Sequence, residues 1–322
     1  MAKSLVTSAP LNLNTLENVN AWIDKVHTGI LASGCVHVPS AGDFQEATTL
    51  LTAAGSTNTY GFRTYEINDK YSLDTPLYFK VFFNAYAVHT TATTRLQGML
   101  GVQVGFELDP TGAFKGSVIP SNQAFTTLVA QNSAATLSAQ STSICTKSDG
   151  FFAYFGEIGA GYLYNYNLSA GGFAIERVSN SEGVVEPEHI VLYLTSATYL
   201  SNSLGSATYQ HLKKDGSVSS VRSHPSSLPS IGFEGSQLVA RQFEASELGI
   251  LNRSRNLIAL RSGADWSVVE MSFDGITSRK FLLVPVLKTA TNPIPNAFVL
   301  GLNLRLDTRS PLDGWLGVSW DD

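Results

Sequence analysis

The sequence has little charge. Asp, Glu, Lys and Arg make up 15% of its 322 residues, whereas about 25% is usual for soluble domains. The 21 basic residues are scattered and the formal net charge is -5, which argues against a nucleic-acid-binding surface, because neutralising phosphates requires clustered Lys and Arg. In the densest basic stretch, from Arg241 to Arg261, a solvated or interface role is favoured over anion binding.

Cysteine is also scarce. The chain has Cys35 and Cys145, and the combination of Cys35 with His37 supplies only two ligands, too few for a zinc site. Reduced thiols in a reducing compartment are the favoured state, and a long-range disulfide between the two stays open. A chain of this length can bury a core without disulfides or metal, so we expect no metal and no cofactor.

Long apolar runs are missing as well. The stretch from Phe281 to Leu287 is far shorter than the roughly 18 consecutive apolar residues of a membrane span and contains Pro285. The segment after Met1 is a short, broken apolar stretch with no secretion signal. We therefore expect no membrane partner and a chain that stays in the cytoplasm where it is made.

No catalytic signature is recognisable, so no catalytic residue is predicted. The six histidines accompany no Gly-x-Ser-x-Gly elbow of the kind a serine nucleophile needs. The glycines from Gly156 to Gly172 lack the spacing of a phosphate cradle and are predicted as turn and bulge residues. Glu186-Pro-Glu-His189 could ligate a cation, but a solvated loop is favoured.

Apolar periodicity predicts one clear helix near the N-terminus. Asn14 or Thr15 can cap it, Gly34 can end it, and apolar residues recur at three- and four-residue spacing. That apolar stripe packs either on its own domain, which is favoured, or on a neighbouring subunit, and its members Trp22, Ile23 and Val26 are candidate interface residues. A second, short helix is predicted over residues 43–54.

The rest of the chain has the pattern of β-strands cut by tight turns. Turns are predicted at Asp109-Pro-Thr-Gly, Asp149-Gly150, Ser181-Glu-Gly and Lys214-Asp-Gly. Close to a dozen strands are expected, in segments 60–67, 77–86, 100–108, 114–119, 151–155, 162–166, 173–178, 190–194, 267–273, 280–287 and 298–306. Segment 130–143 is predicted as a loop or a weak edge strand, and Ser223 to Ser230 as a long loop or boundary.

Tyr162, Tyr164 and Tyr166 alternate strictly, which places them on one face of a strand. Burial of this face against another sheet or subunit is favoured, and stacking on sugar rings or bases is the alternative. These three tyrosines are therefore candidate interface residues.

These patterns predict a mainly β fold, an antiparallel β-sandwich or jelly-roll-like domain with a short N-terminal helix. The organisation is an N-terminal arm and helix over residues 1–40 and a β-sandwich domain over residues 41–322. A sub-boundary is placed near 130–148 or 222–230.

Several strand-and-turn strings resemble virion structural proteins of contractile-tailed bacteriophages. They are Thr75-Pro-Leu-Tyr-Phe-Lys-Val-Phe-Phe, Val102-Gln-Val-Gly-Phe with the turn Asp109-Pro-Thr-Gly-Ala-Phe-Lys-Gly, Asp149-Gly-Phe-Phe-Ala-Tyr-Phe, and Phe173-Ala-Ile-Glu-Arg with its Ser-Glu-Gly turn. The resemblance covers roughly residues 20–195 and the C-terminal strand. It implies consecutive strands of a β domain in a particle component, and it carries over no functional residue.

The resemblance implies a non-enzymatic structural subunit of a tailed phage virion, located in the tail, baseplate or neck. The implied partners are copies of itself and other virion proteins. A carbohydrate- or receptor-binding module, with a host-surface glycan as partner, and a capsid decoration protein are the alternatives. A further rival is a hydrolase with Glu157 and Glu176 as its carboxylate pair, which would have to converge in a pocket.

Overall fold

The computed structural model describes residues 2–8, 13, 15–51, 59–89, 94–131, 140–158, 169–180, 182–196, 206–221, 240–247, 250–260, 264, 266–272, 278–287 and 314–321. Within these ranges the chain is mainly β, with one short helix near the N-terminus and antiparallel pairing throughout its sheets. This confirms the predicted fold class.

The described elements follow one another along the chain with the bounds given next. They are β1 Ala2–Ser8, α1 Leu16–Ala32, β2 Val36–His37, β3 Thr59–Glu66, β4 Tyr78–His89, β5 Thr94–Gly105, β6 Ile119–Gln131, β7 Gln140–Lys147, β8 Phe151–Ile158, β9 Ser169–Ser179, β10 Val185–Ser196, β11 Ser206–Lys213, β12 Val218–Val221, β13 Ala240–Glu247, β14 Ile250–Leu260, β15 Val268–Ser272, β16 Ser278–Leu287 and β17 Gly314–Ser319.

Helix α1 begins and ends where local sequence signals predict. The Thr15 hydroxyl accepts a hydrogen bond from the Asn18 backbone N–H at 3.2 Å, and Glu17 lies in the first turn, where a carboxylate stabilises the positive end of the helix dipole. The helix ends at Ala32, and Gly34 follows with a φ of 97° that suits glycine. The predicted cap at Thr15 and stop at Gly34 are confirmed.

The second predicted helix is wrong. In its described part, residues 43–51, the backbone forms no helix, and two of its N–H groups bond to other elements. The Phe44 N–H donates to the Phe62 carbonyl at 2.7 Å, and the Ala47 N–H donates to the Asn20 side chain at 2.8 Å. Because β3 and α1 provide the hydrogen-bond acceptors for these two N–H groups, the segment needs no helix to satisfy them. Its apolar side chains can pack into the core without one.

The strands form three antiparallel sheets. Sheet 1 has five strands in the order β2-β3-β4-β5-β6, and sheet 2 has seven in the order β1-β7-β8-β9-β10-β11-β12. Sheet 3 has five strands in the order β13-β14-β17-β16-β15. The chain passes from sheet 1 to sheet 2 between residues 131 and 140, inside the segment where one sub-boundary was predicted. The other, 222–230, lies outside the described residues.

Aromatic contacts show how sheets 1 and 2 are layered. Trp22 of α1 meets Phe83 of β4 edge to face, with ring centroids 5.7 Å apart. Phe79 lies four positions earlier, hence on the same face of β4, and stacks on Phe152 of β8 at 4.7 Å. Helix α1 and sheet 2 therefore cover the same face of sheet 1 and share one apolar core with it.

Sheet 3 lies against the other face of sheet 2. In the ladder between β8 and β9, Phe151 pairs with Glu176 and Phe152 with Ile175, so that Glu176 points away from sheet 1. Its carboxylate accepts a hydrogen bond from Asn256 of β14 at 2.7 Å. The three sheets are thus stacked in layers, with sheet 2 in the middle.

The predicted glycine turns are confirmed. At Asp109-Pro-Thr-Gly, the Gly112 N–H donates to the Asp109 carbonyl at 2.9 Å with a φ of 80°. A Cβ at Gly112 would lie 1.9 Å from Ser40 Cβ, so the turn also needs glycine for lack of space. Gly150, Gly183 and Gly216 likewise have positive φ at the other three turns.

Some strand predictions differ from the structure. Residues 114–118 are not a strand, because Phe114 makes only an isolated bridge to Leu108 and β6 begins at Ile119. The weak segment 130–143 contains the end of β6 and the start of β7, and the basic stretch after Arg241 contributes β13 and β14. The predicted strands at 162–166 and 298–306 and the predicted loop at 223–230 lie outside the described residues.

Candidate functional site

A group of titratable side chains lies between α1 and sheet 1. His27 of α1 and His37 of β2 approach edge to face, with ring centroids 5.0 Å apart. His27 Nδ1 shares a hydrogen bond of 2.9 Å with the Tyr65 hydroxyl, and His37 Nε2 shares one of 2.8 Å with Asp43 Oδ2. We call His27, His37, Asp43 and Tyr65 the histidine cluster.

Burial controls the ionisation of the histidine cluster. Tyr65 has no exposed surface, and burial raises its pKa well above the ordinary value. Burial also lowers the pKa of His27, and the positive charges of Arg63 and His37 lower it further, against the opposite effect of Asp24 and Asp43. At neutral pH the Tyr65 hydroxyl therefore keeps its proton and the His27 ring is uncharged.

The histidine cluster lacks the arrangement of a nucleophilic triad. The Ser40 Oγ donates to Asp43 Oδ1 at 3.1 Å and lies 3.2 Å from the Thr64 hydroxyl, so this serine bonds to the acid of the cluster and to a threonine, whereas the nucleophile of a triad bonds to the imidazole. The cluster instead ties α1, β2, β3 and the segment after β2 to one another.

Replacing Tyr65 with Phe tests this structural role. We expect the free energy of unfolding to fall by about 1 kcal/mol, because one buried hydrogen bond is lost while the aromatic ring stays. Urea unfolding monitored by circular dichroism measures the difference. Tyr60→Phe is the comparison, because it removes a half-buried hydroxyl that accepts from the Leu51 N–H at 3.2 Å. An unchanged stability would show that the Tyr65–His27 bond holds nothing together.

Glu176 is the polar link between sheets 2 and 3. It is 8% exposed and accepts hydrogen bonds from the Arg255 N–H at 3.0 Å and the Asn256 amide at 2.7 Å. Arg279 of β16 continues the network, since it donates to Asn256 Oδ1 at 3.3 Å and to Asp321 at 3.2 Å. Both acceptor bonds from β14 to Glu176 join sheet 2 to sheet 3.

The sheet register separates Glu176 from Glu157. Glu176 pairs with Phe151, whereas Glu157 pairs with Ala170, six residues further along the same two strands. At about 3.3 Å per residue the two backbone positions lie about 20 Å apart, well beyond the separation of about 5 to 9.5 Å between the carboxylates of glycosidases. The rival prediction that these two acids form a hydrolase pair is therefore wrong.

The Glu186–His189 segment is part of a strand. It belongs to β10, where the pairing with β9 shifts register between Val185 and Ile190, so the favoured prediction of a solvated loop is wrong. His189 Nδ1 lies 3.2 Å from Glu186 Oε2, and its ring meets that of His211 at 5.4 Å. Across the described ranges, no group of three or more His, Cys, Asp or Glu side chains is placed to hold a metal ion.

The helix side chains predicted as interface candidates lie in the chain's own core. Trp22 is 5% exposed, Ile23 0% and Val26 2%. These values agree with the favoured alternative, in which the apolar stripe of the helix packs on its own domain. Little of these side chains is left for a second subunit, so we place no interface on them. Tyr162, Tyr164 and Tyr166 lie outside the described residues. The alternative that they stack on a glycan therefore stays a prediction.

Cys35 and Cys145 belong to different layers. Cys35, next to β2, is buried, and its Sγ accepts a weak hydrogen bond from the Ser33 hydroxyl at 3.7 Å. Cys145 is a residue of β7 in sheet 2, where its backbone pairs with Lys3 on one side and with Ala153 on the other.

The N-terminal strand is one of the strands that the sequence patterns missed. β1 lies at the edge of sheet 2 and pairs with β7 over seven consecutive residues, from Ala2 with Thr146 to Ser8 with Gln140. Lys3 anchors the strand to the C-terminal region, since its Nζ donates to the Trp320 carbonyl at 2.8 Å and lies 5.6 Å from the indole ring. The sequence signal that could have predicted this strand is a run of seven residues with a single charge, Ala-Lys-Ser-Leu-Val-Thr-Ser.

No protein-family model, curated protein or solved structure matches the chain. In the described part of the chain, no helix has the length and apolar character that crossing a membrane requires.

Proposed function

We propose that the chain is a non-enzymatic structural subunit of a tailed phage particle, working in the tail, baseplate or neck through contacts with copies of itself and other virion proteins. The observation that carries the proposal is that the two polar networks described above connect structural layers of the chain to one another. The histidine cluster joins α1 to sheet 1, and the Glu176 network joins sheet 2 to sheet 3. These groups stiffen a layered body and do not converge on a substrate.

Two further observations support the proposal. The strings that resemble contractile-phage virion proteins coincide with β4, β5, β8 and β9, which fits the consecutive strands of a β domain that the resemblance implies. Charged residues make up only 15% of the chain, and a surface of neutral hydrogen-bonding groups suits interfaces that exclude charge from their centres.

Two measurements test the proposed function. Size-exclusion chromatography with light scattering on the purified chain is expected to show a symmetric oligomer, and electron microscopy of the particle is expected to locate its density in the tail, baseplate or neck. A chain that stays monomeric at every concentration, and for which no density is found in the particle, would contradict the proposal.

A further inference from the structure

Arg63 is a largely buried arginine that the described residues leave short of hydrogen-bond acceptors. Its side chain is 14% exposed, and its Nε is buried with no hydrogen-bond partner. Asp24 Oδ1 lies 3.9 Å from Nη2, which is beyond hydrogen-bonding distance. Arg177, by contrast, donates from Nε, Nη1 and Nη2 to carboxylate and carbonyl oxygens. Because a guanidinium taken out of water needs such acceptors, Arg63 points to an acceptor from outside the chain.

The guanidinium of Arg63 lies in the seam between α1 and sheet 1. Arg63 comes two residues before Tyr65 on β3, hence on the same face, and Asp24 comes three residues before His27 on α1, hence on the same side. The contact of Arg63 with Asp24 and the bond of Tyr65 with His27 are therefore neighbouring rungs across the seam. The Phe44 ring lies 5.6 Å from Arg63 Cζ, so the donors of Arg63 lie between an apolar ring and the histidine cluster.

The neighbouring acids do not satisfy this guanidinium. Asp43 Oδ2 is bonded within the histidine cluster, and its Oδ1 accepts from the Ser40 hydroxyl at 3.1 Å. Asp24 is held loosely, since its side chain is 70% exposed. The charge of Arg63 still acts on its surroundings, because burial lowers the pKa of His27 and the positive charge of Arg63 is the next largest cause.

We propose that the seam between α1 and sheet 1 binds a small oxyanion, with the Arg63 guanidinium as its main donor. The planar guanidinium matches two oxygens on one centre, as in phosphate or a carboxylate. His27 supplies a second donor, because the buried Tyr65 hydroxyl gives its proton to Nδ1 and the neutral ring then carries its own proton on Nε2. The anion displaces the exposed Asp24 carboxylate and joins β3 to α1. This site goes beyond the proposed function and does not depend on it.

Inorganic phosphate is the probe, and the ring signals of His27 in the full-length chain are the readout. Phosphate held by Arg63 offsets part of the positive charge that acts on His27, so the pKa of this histidine is expected to rise. In NMR titrations with chloride replaced by phosphate at constant ionic strength, we expect a saturable shift of the signals that H27Q removes. Signals that move linearly with phosphate concentration, or not at all, would overturn the inference.

Substitutions distinguish this site from general effects of salt. R63Q removes the guanidinium and is expected to abolish the saturable shift, whereas R63K keeps the charge without the paired donors and should weaken binding several-fold. D24N removes the competing carboxylate and should tighten binding several-fold, and it keeps Arg63 should R63Q fail to fold. K115Q is the matched control, because Lys115 is a 70% exposed cation of a surface ion pair. Binding that survives R63Q, or that D24N weakens, contradicts the site.

Thermal unfolding gives a second measurement. A ligand that binds the folded chain raises Tm, and phosphate also stabilises proteins generally by exclusion from their surface. The comparison is therefore with R63Q, and we expect phosphate at saturation to raise Tm by at least about 2 °C more in the unmodified chain. Acetate used in parallel distinguishes the two oxyanions, since an equal gain assigns the site to carboxylates and a gain with phosphate alone assigns it to phosphate. Equal gains in the unmodified chain and R63Q for both anions would overturn the inference.

Discussion

Replacing Arg177 with Met is expected to lower the free energy of unfolding by about 3 to 5 kcal/mol. The guanidinium and the carboxylate of Asp69 form an ion pair with no exposed side-chain surface on either partner, at 2.8 Å between Nε and Oδ2. Removing one partner of a buried pair leaves the other charge without compensation in a medium that solvates it poorly, which costs about this much. Chemical denaturation at neutral pH measures the loss.

The expected effect is large because the Arg177 guanidinium bonds to several parts of the chain. Besides Asp69, its guanidinium donates to the carbonyls of Thr75 at 2.6 Å and Pro187 at 2.5 Å, and it lies 5.5 Å from the Tyr71 ring. These partners come from the segment before β4 and from β10, so one side chain of β9 binds sheet 1 to sheet 2. A Cβ at Gly150 would lie 2.5 Å from Arg177 Cδ. The turn before β8 therefore needs glycine at this position, because the Arg177 side chain occupies the space that a Cβ would take.

An exposed ion pair supplies the matched control. Lys115 and Glu107 lie 3.3 Å apart with side chains 70% and 51% exposed, and Glu107→Gln is expected to change stability by less than about 1 kcal/mol. The double variant D69L/R177M removes both buried charges and should recover part of the loss seen in R177M. If R177M is no more destabilising than E107Q, the buried pair does not join the two sheets.

Local signals predicted the elements that local interactions build. The Thr15 cap, the apolar stripe of α1 and the Gly34 stop all act within a few residues, as do the turns at Gly112, Gly150 and Gly216, so the sequence shows them directly. Residues 43–51 share the apolar spacing of a helix, but the N–H groups of Phe44 and Ala47 bond to Phe62 and Asn20, which are distant in sequence. Spacing alone does not show which partner satisfies a backbone group.

Pairing over long sequence distances explains what was not predicted. β1 pairs with β7 about 140 positions away, and the start of β7 lies in a segment whose Ala, Ser, Thr and Gln composition indicated a loop or a weak edge strand. Asp69 follows the predicted strand 60–67 and Arg177 lies within the predicted strand 173–178, and nothing in either neighbourhood shows that they meet across 108 positions. The groups that hold the layers together are therefore visible only once the sheets are stacked.

Acidification is expected to weaken the fold through His211. This histidine of β11 is 7% exposed. Burial lowers its pKa to about 4, and the positive charges of His189 and Lys213 contribute, while Asp215 acts in the opposite direction. In the unfolded chain the pKa is about 6.5, so between these values the unfolded state binds a proton that the folded state does not, and stability falls as the pH falls. The full effect, present below about pH 4, is about 3 kcal/mol.

Comparing pH profiles of stability isolates this contribution from that of the carboxylates. His211→Gln keeps a polar side chain but cannot be protonated, so its free energy of unfolding is expected to fall less steeply than that of the unmodified chain between pH 6.5 and pH 4, with little difference in slope above pH 7. His189→Gln is the matched control. It removes the neighbouring positive charge that lowers the pKa of His211 and should reduce the acid-induced loss only in part. Parallel profiles for the unmodified chain and H211Q from pH 7 to pH 4.5 would mean that His211 is as easily protonated in the folded chain as in the unfolded one.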